Sequence, residues 1–270
     1  PQFSRNTMYR NRGDGTFAEV AYWAGTHAAE WAWTPIFLDV DLDGFEDLLV
    51  TNGHERDALN VDVRRQIEQQ IKNPRLSRND ILRLNNMYAR LATPNVAFRN
   101  RGDFSFEEVS ERWGFDQSAV SHGMILADLD GDGDQDVVTN NLNGVAGVFR
   151  NQSGGGRVAV RLKGQAPNTY GIGAKIRYIG LPRSQSQEVI AGGRYLSSDD
   201  PMRVFACAEG IEDAVLEVEW RSGRRSRIEG VRANRIYEID EAAASQSAED
   251  RVPESRPLPL FADATRSLAH

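Results

Sequence analysis

The chain has 270 residues, 26% of them charged and 40% hydrophobic, with a formal net charge of −7. That composition suits about two ordinary globular domains and disfavours a nucleic-acid or general phosphate-binding role, which needs a basic face. The lone cysteine, Cys207, excludes a disulfide within the chain; it follows Val204-Phe205-Ala206, so it reads as a buried thiol on a strand.

No run approaches the ~18 apolar residues of a membrane-spanning helix. The chain begins at Pro1, within what reads as a repeat, so the expectation is a piece of a longer protein. The lack of a visible signal peptide therefore says nothing about export.

In chain order, Met8-Tyr9-Arg10-Asn11-Arg12-Gly13-Asp14-Gly15-Thr16-Phe17 is the first of two matching stretches. The second is Ala97-Phe98-Arg99-Asn100-Arg101-Gly102-Asp103-Phe104-Ser105-Phe106, and Asn100 follows Asn11 by 89 residues. Two acidic loops of the form D-x-D-x-D-G-x-x-D, 39–47 and 128–136, are separated by the same 89 residues. A third landmark, Phe149-Arg150-Asn151, follows the second after only 51 residues. The unit is therefore about 51 residues with an insertion of about 38 in the first copy, a size and strand density typical of a propeller blade.

Short runs rich in β-branched and aromatic residues predict strands at 6–10, 17–20, 35–40 and 47–51, and again at 95–99, 106–109, 123–129 and 136–139. Asp14-Gly15 marks a hairpin turn; Phe104 replaces the glycine in the second copy, which predicts a turn built differently there. In the insertion, about 53–93, Val61, Val63, Ile67, Ile71 and then Ile81, Leu82, Leu84, Met87, Leu91 recur at helical spacing. Pro74 separates the runs, and Ser77 with Asp80 forms a capping-box pattern, so two helices laid over the β structure are expected. Beyond a Gly-rich linker at 152–156, alternating strand-like runs predict a second all-β domain over 153–241. A flexible linker at 242–259 and the opening of another module at 260–270 complete the expected organisation, after a first domain at 1–152.

The acidic loops carry the chemistry. Asp39, Asp41, Asp43 and Asp47 stand at positions 1, 3, 5 and 9 of one, and Asp128, Asp130, Asp132 and Asp136 at the same positions of the other. Like charges crowded this closely call for a cation, and hard oxygen donors at spacing two suit Ca²⁺. Gly44 and Gly133 occupy position 6, where the chain must turn tightly. Phe45 and Asp134, at position 7, would each offer a backbone carbonyl. An EF-hand does not fit: position 12 is Val50 or Thr139 instead of Glu, and the flanks are strands. Zn²⁺ would want His or Cys, which neither loop contains.

Tyr/Phe-Arg-Asn, then Gly-Asp, then the acidic loop resemble FG-GAP (VCBS-type) repeats. The resemblance implies Ca²⁺-holding blades of a partial β-propeller, here with a helical insertion. Asn168-Thr169-Tyr170-Gly171-Ile172-Gly173-Ala174, the segment from Gly192-Gly193-Arg194-Tyr195-Leu196 to Pro201, and Val218-Glu219-Trp220-Arg221-Ser222-Gly223 resemble an ASPIC/UnbV domain. Together they resemble the cartilage acidic protein-like family in its bacterial type. That resemblance implies an extracellular or envelope location and no established catalysis.

The remaining features favour plainer readings. The segment 192–201 reads as a crossing between strands, His54 and His122 as hydrogen-bonding residues or supports for the loops, and Trp23, Trp31 and Trp33 as packing between blades or a carbohydrate or peptide groove. Arg221, Arg224, Arg225 and Arg227 mark an exposed turn, and Asn151-Gln152-Ser153 is a chance glycosylation sequon. The expectation is a non-catalytic module with about two Ca²⁺ sites, binding a protein or glycan, without nucleic acid, and joined to further blades outside this segment. A glycan-active enzyme using paired carboxylates and a nucleic-acid-binding protein are the alternatives.

Overall fold

The computed structural model describes residues 5–72 and 76–246. The expected helix break at Pro74, most of the expected linker and the segment 260–270 lie outside them. The fold is mainly β, with 38% strand and 13% helix.

The chain opens with an antiparallel hairpin, Tyr9–Asn11 against Phe17–Glu19. Asn11 and Asp14 side chains cap its turn by accepting from the amides of Gly13 and Thr16 at 2.8 and 2.9 Å. The second copy uses the same device, with Asn100 and Asp103 accepting from Gly102 and Ser105, both at 2.9 Å. The expectation of a different turn is thus corrected. Phe104 itself adopts a left-handed conformation at φ 69°, close to the 83° of Gly15, and its ring lies 3.8 Å from the Arg10 guanidinium. That cation–π contact offsets part of the strain of a bulky residue at positive φ.

A four-stranded antiparallel sheet comes next, in the order Ala32–Leu38, Asp47–Asn52, Val96–Asn100, Phe106–Glu108. It takes two strands from each repeat read in the sequence: the acidic-loop pair of one unit joins the hairpin of the next. Asp47–Asn52, a central strand, is buried along its whole length.

The insertion leaves between the second and third strands. A bridge between His54 and Leu91, with reciprocal amide bonds of 2.8 and 3.0 Å, closes its base. Its helices are Val61–Ile71 and Arg78–Leu84, the latter started by the Ser77–Asp80 capping box with both bonds made. Periodicity predicted an apolar face lying on the sheet. Instead only Ile67 is buried, and Val61, Ile71, Ile81 and Leu82 are exposed. Side-chain caps start both helices, but at 11 and 7 residues local propensity alone leaves them marginal.

A three-stranded sheet, Ser121–Ala127, Asp136–Asn141 and Gly147–Phe149, packs against the first. Their shared core contains Ile36, Leu38 and Leu49 from one and Met124, Leu126 and Val137 from the other. Thr34 and Thr51 hydroxyls both donate to the His122 carbonyl, at 2.7 and 3.0 Å, fixing the contact at the far end.

The C-terminal part is a two-sheet sandwich. Arg203–Ala206, Arg157–Lys163 and Arg235–Asp240 form one sheet, with the last pair parallel. Gln185–Glu188, Lys175–Ile179, Ala214–Glu219, Arg224–Val231 and Ser245–Gln246 form the other. The final strand lies in the segment expected as a linker. Val158, Val160 and Phe205 meet Ile176, Tyr178 and Leu216 in the core, with Cys207 buried as expected.

The smaller sheet is covered on its other face too. Ala159, Met202, Val204 and Ala206 pack on Leu42 of the first acidic loop. The segment 192–201 runs beside Ser121–Ala127: Ser197 Oγ donates to the Met124 carbonyl at 3.3 Å, and the Leu126 amide donates to Asp199 at 3.1 Å. Read as a strand crossing, it is instead a clasp between the two halves. Among the described residues the sheets close into no barrel or ring.

Candidate metal centre

Each acidic loop joins two neighbouring strands of a sheet, Ala32–Leu38 to Asp47–Asn52 and Ser121–Ala127 to Asp136–Asn141. Position 1 organises the turn: Asp39 accepts from the amides of Asp43 and Gly44 at 3.0 and 2.8 Å, and Asp128 from Gly131 and Gly133 at 2.8 and 3.2 Å. Gly44 and Gly133 take φ of 91° and 92°, as the tight turn requires. Position 4 is also left-handed, at Leu42 (φ 57°) and Gly131 (φ 79°). Leu42 bears the strain of a branched side chain there, and its burial against the second half of the chain compensates.

Position 9 ties the start of the loop to the Arg-Asn landmark of the next unit. Asp47 accepts from Val40 at 2.9 Å and Asn100 at 2.8 Å, and Asp136 from Leu129 and Asn151, both at 2.8 Å. Position 5 repeats as well: Asp43 accepts from Phe45 at 2.9 Å and Asp132 from Asp134 at 3.0 Å.

Three of the four expected carboxylates converge in each loop. Oxygens of Asp39, Asp41 and Asp43 lie within 4.8 Å of one another in the first, and those of Asp128, Asp130 and Asp136 in the second. Asp47 falls outside the first cluster and Asp132 outside the second. Asp132 is held by Arg157, whose guanidinium pairs with its carboxylate at 3.0 Å and with its carbonyl at 2.7 Å. At position 7, the Phe45 ring lies 4.0 Å from the Arg183 guanidinium. Asp134 is buried, with neither carboxylate oxygen hydrogen-bonded among the described residues.

The arginine and asparagine of the two Phe-Arg-Asn landmarks that follow the acidic loops prove to be part of the centre. Arg99 donates to Asp41 at 2.5 Å and Asp43 at 2.8 Å, while Arg150 pairs with Asp130 at 3.5 Å. Their signal in the sequence was the recurrence of one tripeptide after each acidic loop. The Asn151 side chain donates to the Val40 carbonyl at 3.1 Å, so the sequon residue has a structural task. His54 and His122, considered as supports for the loops, lie instead against Trp33 at the opposite strand end, the first stacked and the second tilted.

Electrostatics leave room for a cation. Burial pushes the carboxyls of Asp39, Asp47 and Asp134 up to about 7, with neighbouring Asp charges adding to it. Asp41 Oδ1 is also buried without a partner among the described residues. A donor set of oxygens alone, held by a preformed turn, fits a hard divalent cation such as Ca²⁺.

Two family models match the chain. A family model described as FG-GAP-like repeat matches residues 2–50 and 78–139, and one described as ASPIC and UnbV matches residues 164–246. Cartilage acidic protein 1 of Homo sapiens is 26% identical over 251 residues, covering 81% of this chain. The chain spans 37% of that protein's length. With two acidic loops built alike on repeated strand pairs and a sandwich clasped against them, this is a chain of FG-GAP-like repeats joined to an ASPIC and UnbV domain.

Proposed function

We propose that this chain is a non-catalytic, calcium-binding repeat module of an exported protein that binds a protein or glycan partner. The observation that carries this reading is the duplicated loop geometry. In both copies position 1 wraps the turn, position 9 holds the landmark of the next unit, and converging carboxylates are left with oxygens to offer. Asp39, Asp41 and Asp43 would hold one Ca²⁺, and Asp128, Asp130 and Asp136 another, with Asp47, Asp132 and Asp134 supporting. The bound cation would neutralise the clustered charge and lock each strand pair.

On this reading residues 1–152 contribute blades of a propeller that further blades outside the segment complete, and 153–241 form the second domain. The setting is extracellular or at the cell envelope; among the described residues no helix is long and apolar enough to cross a membrane. The carboxylate pairs serve as cation ligands, leaving none assigned to glycan hydrolysis. In the basic cluster, Arg227 is paired with both Glu217 and Glu229, which weakens a nucleic-acid reading.

Calcium titration with thermal melting tests the proposal. A ligand that binds only the folded form at ~100 times Kd stabilises by about 2.7 kcal/mol per site. The expected result is two bound Ca²⁺ and a raised melting temperature, with one site lost on Asp128→Ala plus Asp130→Ala. A melting curve indifferent to both calcium and chelator would overturn it.

A further inference from the structure

The strand ends opposite the acidic loops carry an aromatic cluster that the metal centre does not use. Trp33 lies 4.2 Å from His122 and 4.9 Å from Tyr195 between ring centroids, and Trp31 lies 4.3 Å from His54. These side chains come from both N-terminal sheets, the insertion and the clasp segment. Trp33 is fixed by its indole N–H, which donates to the Gly53 carbonyl at 2.6 Å. The seven-residue strand Ser121–Ala127 puts about 20 Å between this cluster and the second acidic loop.

Beside the cluster opens a cavity of 450 Å³ lined by His122, Thr139, Asn140, Tyr195, Leu196 and Ser197 among others. It falls in the size range of small-molecule sites. Leu196 stands at its edge in an unusual state: 90% exposed and at φ 49°. A bulky residue held left-handed costs about 1 kcal/mol or more, and here no burial offsets it. His122 Nε2 is buried with no partner among the described residues.

The walls restrict the ligand. None of the described lining residues is an Asp, Glu, Lys or Arg, and burial holds the His122 imidazole below its ordinary pKa, in its neutral form. A phosphate, sulfate, carboxylate or cation would lose its hydration without gaining a counter-charge. Ring faces together with Ile125 and Val138 favour an apolar surface, while a carboxamide, hydroxyls and an imidazole favour hydroxyl groups. A neutral pyranose presents both, a C–H face and a rim of hydroxyls. We propose that this cleft, completed only when the ASPIC and UnbV domain is clasped in place, binds a neutral sugar ring of a glycan over Tyr195, with Asn140 and His122 bonding its hydroxyls. The proposal rests on the reading of the chain as a binding module and names its ligand class.

The full chain in saturating calcium would be titrated with lactose, cellobiose, maltose and N,N′-diacetylchitobiose, monitored by calorimetry and by tryptophan fluorescence. Sialyllactose and a heparin disaccharide serve as charged comparisons. The expected result is one-to-one binding of at least one neutral disaccharide, weakened about tenfold by Asn140→Ala, the loss of a hydrogen bond worth about 1.4 kcal/mol. Tyr195→Ala should abolish it. Asn140 is exposed, so that variant should melt like the parent and keep the test open if Tyr195→Ala fails to fold. Binding by none of the neutral sugars, binding of charged sugars alone, or affinity unchanged in Asn140→Ala would overturn the proposal. If calcium-dependent melting persists in those cases, the sugar assignment alone fails; if melting ignores calcium, the parent reading fails.

Discussion

Stripped of cations, the protein should lose stability as pH rises from 5 to 8, opposite to the usual behaviour of carboxylates in native ion pairs. Asp39, Asp47 and Asp134 are pushed up to about 7 in the fold, from an ordinary 3.8. Between those values the folded chain keeps protons that the unfolded chain has released. The associated stability is complete below about pH 4 and is lost as pH rises through about 7. Each unit is worth 1.36 kcal/mol, so one such group sets a ceiling of about 4 kcal/mol. Asp39 and Asp47 share a loop and titrate as a coupled pair, so their contributions do not simply add. Roughly 4 kcal/mol for the three together between pH 5 and 8 is a conservative figure, equivalent to about 10 °C in melting temperature for a chain of this size. His122, lowered by burial, works in the opposite sense but is one group against three. Asp14, Asp80 and Asp103 are held below 3.8 by hydrogen bonds and titrate beneath the window. Calorimetric scans at pH 5 and 8, after exhaustive chelation and again with calcium, measure the effect. Calcium should restore at pH 8 what deprotonation removed. A cation-free melting temperature at pH 8 equal to or above that at pH 5 would refute the reasoning.

Arg99→Met removes a guanidinium bound to Asp41 and Asp43, both in the first carboxylate cluster. With the competing positive charge gone, calorimetry should find calcium affinity at that site raised about tenfold, while the cation-free melting temperature falls; unchanged affinity would count against competition at this loop. Asp199→Ala should cost about 3 kcal/mol by leaving Arg194, bonded to it at 2.7 Å, unpaired at the junction of the two halves, and limited proteolysis should then cut near 192–201. Leu216→Ala, fully buried in the sandwich core, should destabilise by about 2–5 kcal/mol in urea denaturation. By contrast, Leu82→Ala in the exposed insertion should change stability by less than about 0.5 kcal/mol.

Much of the local structure was legible because it is governed by neighbours in the chain. The alternating carboxylates and the glycine at position 6 specify a turn whose side chains bond its own backbone, and the Ser77–Asp80 cap is equally local. The insertion was found from spacing alone, but the fate of its apolar residues was not. Periodicity reports that Val61 and Ile71 share one helix and Ile81 and Leu82 another, whereas only the course of the sheets decides whether anything lies opposite them. Likewise Phe104 gave no hint that it would take the conformation of the glycine it replaces. The guanidinium of Arg10, 94 residues earlier, lies against its ring.

The sequence by itself determined the repeat, the two acidic loops, the oxygen-only donor set and the presence of a second β domain. These come from short-range spacing and from the cost of crowding like charges. The tertiary structure decided which carboxylates meet. Asp132 stands outside its cluster, paired with Arg157 of the next domain, and Arg99 reaches Asp41 and Asp43 across 58 and 56 residues. It also decided that the four-stranded and three-stranded sheets are each shared between successive repeats and that 192–201 clasps the two halves. The physical reason is one of range: a turn is bonded by residues within about five positions, while a sheet edge, a core and a counter-ion are supplied by whichever distant segment packing brings alongside.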